Sequence, residues 1–357
     1  MKGAPGYRTL ATGTVLGNRS DMKHQDIPKA QRLDYSRDLS DSPKWIVATP
    51  FFALGFVFSL WYLTAYYGGD AYHYTNFYNS LYELPHEHWA NFQRLHLGAA
   101  EPLYRYIIAL GAYTGLDRTL YLSVWNGAFV GIIGYILIKH RCSALFCTLV
   151  LTNVYLVTLL GSAERLKFAY FFLILAFAVE NRTVKFALGA LSLFTHTQAA
   201  VQFVSALNFY ILDNLKKIAS TPAKGFLLLV GATAAVSLVF YLFFFAVGQS
   251  IEAKSEFYLS ESEGLAEAIQ WGLLLFAGLA IFDKRLAYFV AMLPMGVLTV
   301  LFGNRVNVAT LALFAGLAIL QRKTNNPIVL AVMAYMSFKT ISFLFNVVEF
   351  GDGFVRA

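Results

Sequence analysis

The chain has 357 residues, 57% of them hydrophobic and 14% charged, with 32 Phe, 21 Tyr and a formal net charge of +7. Soluble domains carry about 25% charged residues, so the composition excludes an ordinary water-soluble fold and predicts one all-α, polytopic membrane bundle. The positive balance does not indicate nucleic-acid binding. Lys and Arg collect in short loops between apolar runs, where they orient helices in a membrane.

At the N-terminus, residues 1–44 lack any apolar run and hold Pro28, Pro43 and mixed charges, which predicts a polar cytoplasmic tail with no cleavable signal peptide. A membrane crossing takes about 20 apolar residues. Eleven candidate spans follow, at 45–67, 120–138, 143–160, 166–179, 186–194, 199–212, 225–247, 265–282, 286–302, 306–320 and 327–348. With the tail inside, five loops become cytoplasmic: 139–141, 180–185, 213–217, 283–285 and 321–323. Each carries at least two Lys or Arg, the pattern of inward loops.

That parity has two consequences. Segment 103–116 stays outside as an amphipathic interfacial helix, and 186–212 forms two short helices that meet at Thr195-His196-Thr197-Gln198. The outer side then comprises 68–119, 161–167, 195–198, 249–264, 303–305 and a periplasmic C-terminal tail, 349–357. No internal repeat is evident. Cys142 and Cys147, beside Lys139-His140-Arg141, match no metal spacing and read as small apolar residues.

Seven ionisable side chains fall on the outer side: Asp70, Glu101, Arg105, Arg165, Lys167, His196 and Arg305. Charges beside hydrocarbon are costly and mark pathways, relays or sites. Each also has a plainer reading. Asp70, after Gly68-Gly69, can cap the next helix, with Tyr72 and Tyr74 in the aromatic belt. Glu101 and Arg105 share a helix face behind Pro102 and can simply pair. Arg165, Lys167 and Arg305 can snorkel to headgroups, although the planar Arg fork also suits phosphate oxygens. His196 can be structural or can transfer protons. Glu83, His86, Glu87, His88 and His96 show no metal-ligand spacing, so no metal is expected. Without a Walker loop, a dinucleotide fingerprint or a nucleophile elbow, no cofactor is expected either.

Read in order over residues 45–320, four motifs resemble the EpsG family of bacterial polysaccharide polymerases, relatives of Wzy-type O-antigen polymerases. They are Asp70 with Tyr72 and Tyr74 after the first span, Glu101 heading a helix, Arg165 at the start of an apolar run, and Ser192-Leu193-Phe194-Thr195-His196 closing another. Leu166-Lys167 departs from the pattern, which has small or polar neighbours of the arginine. The resemblance implies a GT-C-like bundle in the bacterial inner membrane, with its active site facing the periplasm. It implies a lipid-to-lipid glycosyltransferase that moves a growing glycan from undecaprenyl diphosphate onto the non-reducing end of a lipid-linked repeat unit. Arg165 and Arg305, with Arg105 and Lys167, would hold the diphosphate, and Asp70, Glu101 or His196 would be the base. Tyr72, Tyr74 and Trp89 would stack on sugars. Implied partners are undecaprenyl-diphosphate-linked oligosaccharides, membrane lipids, a chain-length regulator and a flippase, with no nucleic acid. An O-antigen ligase is the rival enzyme, favoured by a larger periplasmic loop than 68–119. A flippase or other transporter would line a path through both leaflets, whereas these charges gather at one face.

Overall fold

The structure, a computed structural model, describes residues 44–98, 101–196, 198–214, 264–302 and 304–354, with isolated positions between 221 and 234. The tail, most of the expected span 225–247 and the loop 249–263 lie outside the described residues. Every regular element among the described residues is helical. In chain order these are α1 (Lys44–Ala65), α2 (Asp70–Ser80), a 3-10 turn (His86–His88), α3 (Trp89–Leu97), α4 (Pro102–Tyr113) and α5 (Arg118–Lys139). Next come α6 (Ala144–Leu151), α7 (Val154–Leu160), α8 (Glu164–Ala178), α9 (Arg182–Thr195) and α10 (Ala199–Asp213). The last are α11 (Gly264–Ile281), α12 (Arg285–Phe302), α13 (Asn304–Leu320) and α14 (Pro327–Phe350).

Three helical stretches are long and apolar enough to cross a membrane: Ile46–Ala65, Arg118–Lys139 and Pro327–Phe350. Ala199–Asp213, Ala266–Ile281 and Val306–Leu320 are apolar but shorter. Segment 143–160, expected as a single span, is instead broken into α6 and α7. Asn153 causes the break, because its carboxamide oxygen accepts from Tyr155 N at 2.9 Å and starts a new helix within the apolar run. Segment 186–212 divides as expected. α9 stops at Thr195, His196 takes extended backbone with φ −159° and ψ 129°, and α10 starts at Ala199.

α1 lies against α5 along a row of glycines. A Cβ on Gly127 would stand 2.9 Å from the Phe52 carbonyl oxygen, and one on Gly55 would stand 2.7 Å from Val130 Cβ. Small residues let membrane helices approach backbone to backbone, where dispersion and packing replace the hydrophobic effect. Elsewhere, α8 packs on α9, α10 on α12, and α14 on α6 and α7.

Ion pairs join the ends of helices that the basic loops connect. Lys139 reaches Glu180 at 3.8 Å, Lys284 reaches Asp213 at 2.9 Å, and Lys323 reaches Asp283 at 3.4 Å. Exposed pairs of this kind contribute roughly 0–1 kcal/mol each. Their value is positional, since every one of the five basic loops touches another.

Candidate active site

Away from those loops, the chain buries a charge network at the C-terminal ends of α1 and α9 and the N-terminal ends of α4, α5 and α8. Its centre is Glu101, at the N-cap position of α4. Pro102 follows at the first helical position, and the Glu101 side chain makes no capping bond to its own helix. The carboxylate instead accepts from Arg165 Nη1, at 3.2 Å on Oε1 and 3.0 Å on Oε2. His196 Nδ1 lies 3.0 Å from Oε1. The buried Gln93 amide donates to the Glu101 carbonyl at 3.3 Å and to Oε2 at 3.4 Å. Arg165 Nε donates to Tyr74 Oη at 3.4 Å.

Local sequence explains these positions. Arg165 sits in the first turn of α8, where the positive end of the helix dipole repels a cation, so the guanidinium needs a carboxylate nearby. The N-terminus of α4 adds its own partial positive charge beside Glu101. His196 faces the carboxylate because α9 ends one residue earlier and the chain leaves in extended form. Ser192 holds that end of α9 to α8, its Oγ donating to the Ala169 carbonyl at 2.8 Å. The side chains of Glu101 and Arg165 are 2% and 7% exposed, while the His196 side chain is 17% exposed. Of the three, the imidazole is the one that meets the surroundings.

A second buried pair lies one residue along α8. Glu164 accepts from Arg118 Nη2 at 2.6 Å and from Tyr104 Oη at 2.8 Å. Burial first, and then the Glu164 carboxylate, push the Tyr104 hydroxyl well above its ordinary pKa, so it stays protonated as a donor. The two centres are cross-braced. Glu101 and Tyr104, one turn apart on α4, bind Arg165 and Glu164, which are adjacent on α8. Lys167 is 1% exposed, and its ammonium hydrogen-bonds to no described residue and lies 4.9 Å over the Phe168 ring.

The other expected site residues are placed as follows. Asp70 is the first residue of α2 rather than its cap; the capping position is Gly69. Tyr74 is buried in the network, whereas Tyr72 on the same helix is 61% exposed. Trp89 is buried and donates to the Leu84 carbonyl. Arg105 does not pair with Glu101; its half-exposed guanidinium lies 5.6 Å over the Tyr106 ring. Arg305 is the second residue of α13, and its side chain lies outside the described residues.

Five neighbours were not among the expected site residues: Gln93, Tyr104, Arg118, Glu164 and Asp352. Glu164 and Arg118 carry the same sequence signal as Arg165, a charge at the edge of an apolar run. Asp352 arrives through tertiary contact alone. The Gly351 carbonyl accepts from Tyr67 N at 3.1 Å and Gly68 N at 2.8 Å, which docks the end of α14 on the α1–α2 junction. The Asp352 carboxylate then lies against Gly69, whose φ of 51° and ψ of −132° suit glycine.

Among the described residues no group of three or more His, Cys, Asp or Glu is arranged to hold a metal ion. The arrangement is suited to proton transfer, with an imidazole backed by a carboxylate and a fixed cation at a helix end. No family model matches the chain, and no curated protein or solved structure is similar to it.

Proposed function

We propose that the chain is a polysaccharide polymerase of the EpsG or Wzy kind, a GT-C-like membrane glycosyltransferase with about eleven crossings and α4 as a periplasmic interfacial helix. One observation carries this reading. Tyr74, Glu101, Arg165 and His196, which bear the four motifs of the resemblance, converge on one buried network although its contacts span 91, 64 and 95 residues of sequence. The apolar helices support a membrane setting, and the mutual contacts of the basic loops support one cytoplasmic end.

The chemistry fits. An acceptor-sugar hydroxyl oxygen attacks the anomeric carbon of the donor glycan, and the carbon–oxygen bond to undecaprenyl diphosphate breaks. The electron pair leaves on a phosphate oxygen, while the hydroxyl proton passes to a base. The diphosphate is already a good leaving group, so no nucleotide is needed; fixed cations stabilise its developing charge. Arg165 is the cation joined to the acid–base pair, and its Nη2 donates to no described residue. Arg305 and Arg105 supply further positive charge, and Asp70 and Tyr72 face sugar hydroxyls and rings, whereas Tyr74 and Lys167, expected to touch substrate, are 3% and 1% exposed and enclosed by protein.

A glycan gel of a deletion strain tests the assignment. Loss of the long ladder with a single repeat unit retained on its final acceptor is expected, and the intact gene should restore the ladder. Loss of the single-unit species as well would point to a ligase or flippase, and an unchanged ladder would exclude all three.

A further inference from the structure

The network separates groups that the sequence leaves equivalent as candidate bases. Glu101 has both oxygens engaged by Arg165, Oε1 also faced by His196, and a side chain that is 2% exposed. A carboxylate tied to a guanidinium stays ionised and is a weak base toward a hydroxyl. It also lacks surface on which to meet a substrate. His196 shares the network but is the more exposed member. Because the ionised carboxylate accepts at Oε1, the imidazole donates there through Nδ1–H. Proton exchange with a substrate then runs through Nε2, the tautomer logic of a carboxylate-backed histidine.

We infer that His196 is the catalytic base that takes the acceptor hydroxyl's proton, and that Glu101, held by Arg165, is its positioning residue. The assignment rests on the polymerase reading. In the step, the acceptor oxygen bonds to the anomeric carbon as its proton moves to Nε2, and the bond to the lipid diphosphate breaks with its electrons on phosphate. The resulting imidazolium lies beside the Glu101 carboxylate, which offsets the new charge. Among the described residues, the charged and titratable groups joined to the ring in this network are Glu101 at the start of α4 and, through it, Arg165 on α8 and Tyr74 on α2. The adjoining turns of α9 and α10, Phe194-Thr195 and Gln198-Ala199-Ala200, carry no charge. Arg165 thus shares the carboxylate, and the positive charge it contributes keeps Glu101 from becoming the proton acceptor itself.

The test uses full-length protein in lipid vesicles, supplied with lipid-linked repeat units extracted from the host strain, and measures initial polymerisation from about pH 5 to pH 9, the range over which histidine titrates. The wild-type rate is expected to rise with pH to a plateau as the imidazole loses its proton. His196→Gln and His196→Asn, inserted at the wild-type level, are expected to lose about 100-fold or more at the plateau. Glu101→Gln removes the anion that favours imidazolium, so its acidic limb moves to lower pH, and Glu101→Asp recovers part of the rate. Because Glu101→Gln leaves Arg165 buried without its anion, the pair Glu101→Gln with Arg165→Met is measured alongside as the variant without a lone buried charge. Wild-type rates in both His196 variants would overturn the assignment, as would a limb unmoved in Glu101→Gln and in the pair. A wild-type protein that makes no polymer from these substrates would sink the polymerase reading, and this assignment with it.

Discussion

Glu101 stands at the position before α4, where short Asp, Asn, Ser or Thr side chains ordinarily cap, and its longer carboxylate turns away from the helix to Arg165 and His196. The reason is electrostatic. A guanidinium in the first turn of α8 is unfavourable until an anion lies beside it, and in the buried interior the charge left without that anion would cost more than a cap bond of about 1 kcal/mol. Removing one partner of a buried ion pair costs about 3–5 kcal/mol, because the other charge is left in low dielectric. Arg118→Ala, which strips Glu164 of its cation, is therefore expected to destabilise by about that much in thermal unfolding of detergent-solubilised protein. Arg105→Ala, whose side chain is half-exposed and has no ion pair among the described residues, is expected to cost under about 1 kcal/mol. Equal losses in the two variants would contradict the buried placement of the Arg118–Glu164 pair. Which residue types would matter was legible in the sequence, because charge is conspicuous in an apolar chain. Which partner each would choose was not. The nearest one in sequence, Arg105 for Glu101, has the right helical spacing, but its guanidinium stays at the half-exposed surface.

At the scale of elements, the interface between α1 and α5 depends on the absence of side chains. Gly127→Ala would drive a methyl into the Phe52 carbonyl at 2.9 Å, a backbone atom that cannot rotate aside. Overpacking of this kind costs about 1–3 kcal/mol, read as a lower unfolding temperature. Gly272→Ala and Gly316→Ala meet nothing within 4 Å and are expected to be neutral or stabilising by up to about 1 kcal/mol. A Gly127→Ala protein as stable as these two would mean that α1 and α5 do not approach so closely. Helix positions were mostly legible, since apolar runs and their polar interruptions set them. The division at Asn153 was not, because one carboxamide inside an apolar run does not interrupt hydropathy; its effect is a local hydrogen bond to Tyr155 N. The break at His196 was legible for a different reason. Polar residues cluster there, and the basic loop after it fixes the parity.

For the whole molecule, two sets of helix ends are distinguished by their chemistry. One set carries exposed ion pairs between basic loops. The other carries the buried network and the docked end of α14. In a protein with Cys142 and Cys147 replaced by Ser, a cysteine at Tyr72 is expected to react with a membrane-impermeant maleimide in intact cells. One at Glu180 is expected to react only after the membrane is opened. Both side chains are exposed, so access would be decided by the bilayer. The reverse labelling pattern would invert the orientation and place the network on the cytoplasmic side.

Residue order alone specifies a helical, membrane-suited chain and marks the charges that hydrocarbon makes expensive. It also ordered the basic loops, because hydropathy and charge are properties of a segment and survive without its neighbours. The pairings come from folding: Glu101 with Arg165 and His196, Glu164 with Arg118 and Tyr104, and Asp352 beside Gly69. Those contacts join distant helix ends, and a buried charge takes the partner that packing brings within 3 Å, whatever its place in the chain.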